Sequence, residues 1–321
     1  MPVRASTPEI GSVELVVALR KFPGAAELHA SELSVLASVA RPRRLGAHEL
    51  LAREGIVLHA IALVVEGELV VRREVERVER ARPGTAIGVL EALARDPRGV
   101  ECEASEPALV LSVSLEDLED VFEEVPSFLV RLVGWLGGLA LDRNVFHSSA
   151  SARPAVKAVA IPERALDLVE RILHLRTCPA FASATIDAVA ALAHVAHEVR
   201  MAAGDALWQR GAPSSSLFVL VGGELELTID AATRATLRAG DLAGHLEAFA
   251  AVARPTQAHA RTSLVALAID REALFDTWEE HPDLGVELLR DTSSAILRDT
   301  AAEVPRRPTQ NDVREGAHDR R

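Results

Sequence analysis

The stretch IGVLEALARDPR (87–98) returns 156 residues later as AGHLEAFAAVAR (243–254). In both, a glycine is followed two positions on by Leu-Glu-Ala, and an arginine closes the run: Gly88, Glu91 and Arg98 in the first, Gly244, Glu247 and Arg254 in the second. Working outward, the same offset holds on either side. HELLAREG (48–55) matches GDALWQRG (204–211), LVVEGELVVR (63–72) matches VLVGGELELT (219–228), and ALVLSVSLEDLEDVF (108–122) matches LVALAIDREALFDTW (264–278). An offset kept through runs and turns without an insertion means duplication of a whole domain, since a solenoid would repeat every ~20–50 residues.

Length and composition agree with two copies. The 321 residues suffice for two domains of ~150 residues, each able to bury a full core. Apolar residues make up 49% of the chain but aromatics only 3%, with no tyrosine, so Ala, Leu and Val must supply most of the packing. The net charge of −12 repels phosphate backbones and anionic bilayers, which sets nucleic acid and membrane aside as partners. Cys102 and Cys178 are too few for a disulfide framework, and neither has a second Cys or His at metal-ligand spacing. The N-terminal MPVRASTPEIGSVEL lacks the apolar run of a signal peptide. The nearest candidate for a membrane span, Phe128 to Leu141, carries Arg131 and falls short of ~18 apolar residues. The expected location is cytoplasmic.

Within each copy the order reads helix, many short strands, helix. Leu33, Leu36 and Val39 fall at helical spacing, as do Val189, Leu192 and Val195. Leu225 and Leu227 alternate with Glu224, Glu226 and Thr228, the pattern of a half-buried strand. Gly55, Gly67, Gly84 and their counterparts stand at run boundaries, where turns need positive φ. The expected fold class is mainly β with flanking helices: one barrel over 13–147 and another over 163–300, joined by a Ser-, Ala- and Pro-rich linker at 148–162 and followed by a disordered polar tail at 301–321. Each copy closes in an amphipathic helix, 128–142 and 282–298. Gly134, Gly137 and Gly138 in the first cost about 1 kcal/mol each against Ala, which close approach of another element, within or between chains, would offset. These two helices are the expected faces for a protein partner or a homodimer.

On these residues each copy resembles the cyclic nucleotide-binding domain family. The carriers are the opening Leu51 with Gly55 (Gly204, Leu207 and Gly211 in the second copy), the turn Gly67-Glu68-Leu69 (Gly223-Glu224-Leu225), and the glycine-to-arginine cassette. The resemblance implies two tandem double-stranded β-helix (jelly-roll) barrels. It also implies a chemistry: the glycine opens a short helix whose N–H groups meet a cyclic phosphate, the next, acidic residue takes the ribose 2′-hydroxyl, and the arginine balances the phosphate charge. Carried over, the ligand-binding residues are Gly88, Val89, Glu91, Arg98, Gly99 and Val100 in the first copy and Gly244, His245, Glu247, Arg254 and Thr256 in the second. The implied ligand is cyclic AMP or cyclic GMP, or another small anion.

Both copies depart from that pattern. Val89 and His245 stand where the family has its acid, and the pair after the arginine is Gly99-Val100 in one copy and Pro255-Thr256 in the other. Pro255 has no N–H to donate. Each lost hydrogen bond costs ~1–3 kcal/mol, so the second copy is the poorer site. Three readings of Glu91 and Glu247 stay open: the carboxylate reaches the ribose; Glu91 pairs with Arg98 and Glu247 with Arg254 inside each cassette; or the arginines meet an unknown anion or water. His245 reads as a surface loop residue, with a protonated imidazole facing an anion as the alternative.

Other constellations carry less. His194, His197 and Glu198 suggest helix histidines rather than the H-E-x-x-H order of a metal site. Serines 148–149 and 214–216 fall in linker and turn positions, and the carboxylates from Glu116 to Glu124 read as a solvated helix face. No G-x-S-x-G elbow, P-loop or dinucleotide fingerprint is present, so no enzyme is expected. The sequence predicts a regulatory or sensor protein with weak binding in the first copy. A ligand-free scaffold is the alternative, and a transcription regulator comes third because the chain after 298 is too short for a helix-turn-helix.

Overall fold

Apolar runs become central strands, and the glycines between them become corners. The computed structural model describes residues 12–73, 77–145, 163–229 and 234–302. The linker expected at 148–162 and the tail from 303 onward lie outside the described residues.

The first copy runs α1 (Ser12–Leu19), α2 (Ala30–Val39), β1 (Arg41–Leu45), β2 (Leu50–Ala52), β3 (Ala60–Glu66), β4 (Leu69–Arg73), β5 (Arg77–Ala81), β6 (Ala86–Ile87), α3 (Val89–Leu93), β7 (Glu101–Ala104), β8 (Ala108–Ser114), α4 (Leu115–Glu124) and α5 (Pro126–Asp142). The second repeats this plan: α6 (Leu168–Thr177), a 3₁₀ turn (Pro179–Phe181), α7 (Ile186–Val195), β9 (His197–Met201), β10 (Ala206–Trp208), β11 (Ser216–Gly222), β12 (Leu225–Thr228), β13 (Arg234–Leu237), β14 (Leu242–Ala243), α8 (His245–Phe249), β15 (Gln257–Ala260), β16 (Leu264–Asp270), α9 (Arg271–Glu280) and α10 (Pro282–Ala302). α10 thus reaches two residues into the span expected to be a disordered tail.

Each copy folds its strands into two four-stranded antiparallel sheets. The orders are β1-β8-β3-β6 and β2-β7-β4-β5 in the first, and β9-β16-β11-β14 and β10-β15-β12-β13 in the second. Central β16 is buried at six consecutive positions, whereas β12 alternates, with Leu225 and Leu227 inward. Gly67 adopts φ +81°, and a Cβ there would lie 2.5 Å from the Pro107 carbonyl oxygen, so no other residue fits that corner. One helix boundary differs from expectation. α7 stops at Val195, with Ala196 extended, so His197 and Glu198 open β9 and do not share a helix with His194. Among the described residues no three metal-capable side chains converge.

The terminal helices cross over between the copies. Pro126 starts α5 where its missing N–H does no harm, and the chain bends by 118° between α4 and α5. That bend carries α5 away from its own cassette and onto α8 of the second copy, while α10 lies on α3 of the first and α5 and α10 pack on each other. A Cβ on Gly137 would lie 2.6 Å from the Leu246 carbonyl oxygen, and one on Gly134 would lie 3.1 Å from that of Phe249. Those two glycines therefore allow backbone contact, whereas Gly138 faces open space.

A single hydrophobic core runs through this seam, joining Leu90, Leu93, Leu132 and Leu136 to Leu246, Phe249, Leu284 and Leu288. The scarce aromatics concentrate there: Phe249, Phe275 and Trp278 form one cluster, and Phe22, Phe122 and Phe128 another. Two smaller cores fill the barrels, one around Leu69, Val71, Cys102 and Val110, the other around Trp208, Leu220, Leu225 and Leu237. Among the described residues no single helix is long and apolar enough to cross a membrane.

Candidate functional site

The two cassettes share a backbone and differ in what fills them. Gly88 and Gly244 cap α3 and α8 in the left-handed region, at φ +77° and +73°. The side chains of Glu91 and Glu247 are buried at 2% and 5% exposure. A buried carboxylate needs a cation, and each finds one.

In the second copy that cation is the cassette's own arginine. Arg254 Nη1 lies 3.1 Å from Glu247 Oε1, and the Arg254 side chain is 3% exposed. The same guanidinium donates to the Gly244 carbonyl oxygen at 2.7 Å and to that of Ser216, and sits 4.4 Å over the Trp208 ring. Burial pushes the Arg254 pKa down while Glu247 pulls it up; an arginine stays charged under either influence. Phe218 stacks behind Trp208, and the Trp208 Nε1–H donates to Thr256 Oγ1 at 3.4 Å. Ser214 donates to the carbonyl oxygens of Glu247 (3.0 Å) and Val252, pinning both ends of the segment. His245 is fully buried, its ring edge-on to Phe249 at 5.9 Å. It is not the surface loop residue expected, because the glycine cap turns it into the helical core.

In the first copy Glu91 does not pair with Arg98. Its Oε1 accepts from Arg73 Nε at 2.6 Å, and Arg73 also bonds Glu79. Arg73 follows Leu69 and Val71 on the inward side of β4, which delivers its guanidinium to the cassette from within the barrel. Burial disfavours its charge, but Glu91 and Glu79 prevail and raise its pKa. Arg98 turns outward, 48% exposed, and clasps Asp96 through Nε (3.0 Å) and Nη2 (2.7 Å) to Oδ2. Burial works against ionisation of Asp96, but the Arg98 side chain and N–H outweigh it and hold the carboxyl below its usual range.

The walls differ as well. Where the second copy has Trp208 and Phe218, the first has Ala52 and Ala62. An open cleft of about 490 Å³ lies beside Ala52, lined by residues 48–53, Ile56 and Leu58; no cassette residue lines it. The loop that carries Arg53 and Ile56 touches the arginine turn: Gly55 N–H donates to the Arg98 carbonyl oxygen at 2.6 Å, and Gly99 packs on the backbone of Arg53 and Ile56. Val89 and Val100 are buried. Burial also pushes the Cys102 thiol up to about 12, so it stays protonated at neutral pH.

Sequence reasoning missed Arg73, Asp96, Trp208 and Ser214. Only Arg73 left a usable signal, as a charged residue in the inward register of a strand.

The model of the cyclic nucleotide-binding domain matches residues 42–125 and 198–281, more than half of the chain. The chain belongs to the cyclic nucleotide-binding domain family. Among solved structures it is similar to the regulatory domain of Toxoplasma gondii PKA with cAMP, at 15% identity over 93% of this chain and 99% of that one, TM-score 0.34. It is also similar to the regulatory subunit of a cAMP-independent protein kinase A from Trypanosoma brucei, at 14% identity over 94% and 95%, TM-score 0.36. The N-terminal domain of a transcriptional regulator from Streptomyces coelicolor A3(2) is 28% identical over 41% of this chain and 98% of that one, TM-score 0.35. No curated protein matches. The two matched stretches fall on the two barrels, and the domain that the family model describes is a binding module.

Proposed function

We propose that this is a non-enzymatic regulatory protein in which the first domain takes a small phosphate-bearing ligand, cyclic AMP or cyclic GMP being the first candidates, while the second takes none. The observation that carries this reading is the contrast between the arginines: Arg98 is half-exposed against Asp96, in a copy that has Ala52 and Ala62 where the other has its aromatic wall, and Arg254 is sealed between Trp208 and Glu247. A phosphate entering the first cassette would draw Arg98 from Asp96, exchanging one charge-assisted pair for another. α10 lies on α3, so the helix that would register the change belongs to the second domain.

Calorimetric titration of the full chain with cyclic AMP and cyclic GMP tests this. Saturable heat is expected, lost in Arg98→Ala and strengthened in Asp96→Asn, which removes the carboxylate that competes for the guanidinium. No heat at millimolar ligand overturns the reading. The Arg73–Glu91 pair favours a second reading, a ligand-free scaffold with both cassette carboxylates internally neutralised. On that reading Arg73→Ala lowers stability and no nucleotide gives heat to any variant.

A further inference from the structure

The second cassette holds a complete anion-binding arrangement. Arg254 contributes a buried guanidinium, the Trp208 ring covers its face, and its Nη1 bonds the Gly244 carbonyl oxygen. Among the described residues the anion against it is Glu247, a residue of the same cassette, at 3.1 Å. Arg254 Nε is buried without a hydrogen-bond partner and Nη2 is taken by the Ser216 carbonyl oxygen, so the carboxylate meets the guanidinium through Nη1 alone. A fitted fork-to-fork pair would use two donors. Contact through a single donor is what results when a side chain on a fixed helix stands in for an anion free to choose its own position.

We infer that Glu247 acts as a built-in ligand: its carboxylate occupies an anion site of the carboxylate or phosphate class and keeps the second domain in its occupied arrangement with no external molecule. This goes beyond the reading of the first domain and does not depend on it. α8, which carries Glu247, is also the seat for Gly134 and Gly137 of α5. The internal anion therefore holds the first domain's terminal helix in place whatever the first cassette binds.

Removing the carboxylate should leave a site that a small carboxylate can fill. The full chain carrying Glu247→Ala is followed by thermal melting while sodium acetate replaces sodium chloride at constant ionic strength. Expected is a melting temperature lowered by roughly 10 °C, as for other broken buried pairs, and restored in large part and saturably by acetate. The wild type and the double variant Glu247→Ala with Arg254→Ala should show no saturable response to acetate. A Glu247→Ala protein that melts like the wild type, or that answers acetate no better than the double variant, overturns the inference. If Glu247→Ala does not fold, a cycle of Glu247→Gln, Arg254→Met and the pair decides. Each single change should lower the melting temperature and the pair should recover part of the loss; additive losses overturn the inference.

Discussion

Arg98 lies half-exposed against Asp96, and Arg254 lies buried against Glu247, although the two hold the same position of the repeat. Their neighbours account for the difference. Asp96 corresponds to Val252, Arg73 to Ile229, and Ala52 to Trp208, so the first copy has an acid to draw its arginine outward and a second arginine to satisfy Glu91. The Arg98 guanidinium is half in water although Asp96 is buried, so solvent screening keeps the pair's contribution to about 1 kcal/mol or less. Its pH dependence has a definite sign. The folded pKa of Asp96 is depressed, so the contribution is present above the unfolded value near 3.8 and is lost as pH falls through the folded one. Asp96→Asn should therefore flatten the acid limb of stability measured by urea unfolding between about pH 5 and pH 2; an unchanged limb would show that the pair contributes nothing. The glycines and arginines of both cassettes were legible in the sequence because their spacing repeats. The partner of Glu91 was not, since Arg73 reaches it across the barrel interior and pairing across a barrel leaves no local pattern.

At the scale of elements, neighbouring glycines of α5 make opposite demands. Gly137 meets the backbone of α8, and Gly138 meets nothing. Gly138→Ala should stabilise the protein by about 0.5–1 kcal/mol, the helix-propensity gain alone. Gly137→Ala should destabilise it, because a Cβ 2.6 Å from the Leu246 carbonyl oxygen forces the helices apart and opens the aromatic cluster beneath. Denaturant midpoints of the two variants check both signs, and a stabilised Gly137→Ala would mean that the seam yields freely. Periodicity revealed the helices, and the glycines showed that something must come close. Which element comes close depends on the bend at Pro126, and helical spacing carries no information about that angle.

At the scale of the molecule, the seam makes the two copies one cooperative body. Its core draws side chains from α3, α5, α8 and α10 alike, so neither copy completes its helical layer alone. Scanning calorimetry should show a single transition with calorimetric and van't Hoff enthalpies equal; two resolved transitions would mean that the barrels melt independently. Duplication was legible from the constant offset, but the exchange was not, because packing each terminal helix on its own cassette satisfies the same sequence pattern. The exchange also bears on synthesis. Leu246 is added 109 residues after Gly137, an interval of about 5–20 s at ordinary elongation rates. Through that interval the nascent first copy carries Leu132 and Leu136 on α5 with no cassette to receive them. The growing chain must keep an apolar stripe from wrong partners until its second half emerges, a burden that a duplication with self-contained halves would never have met.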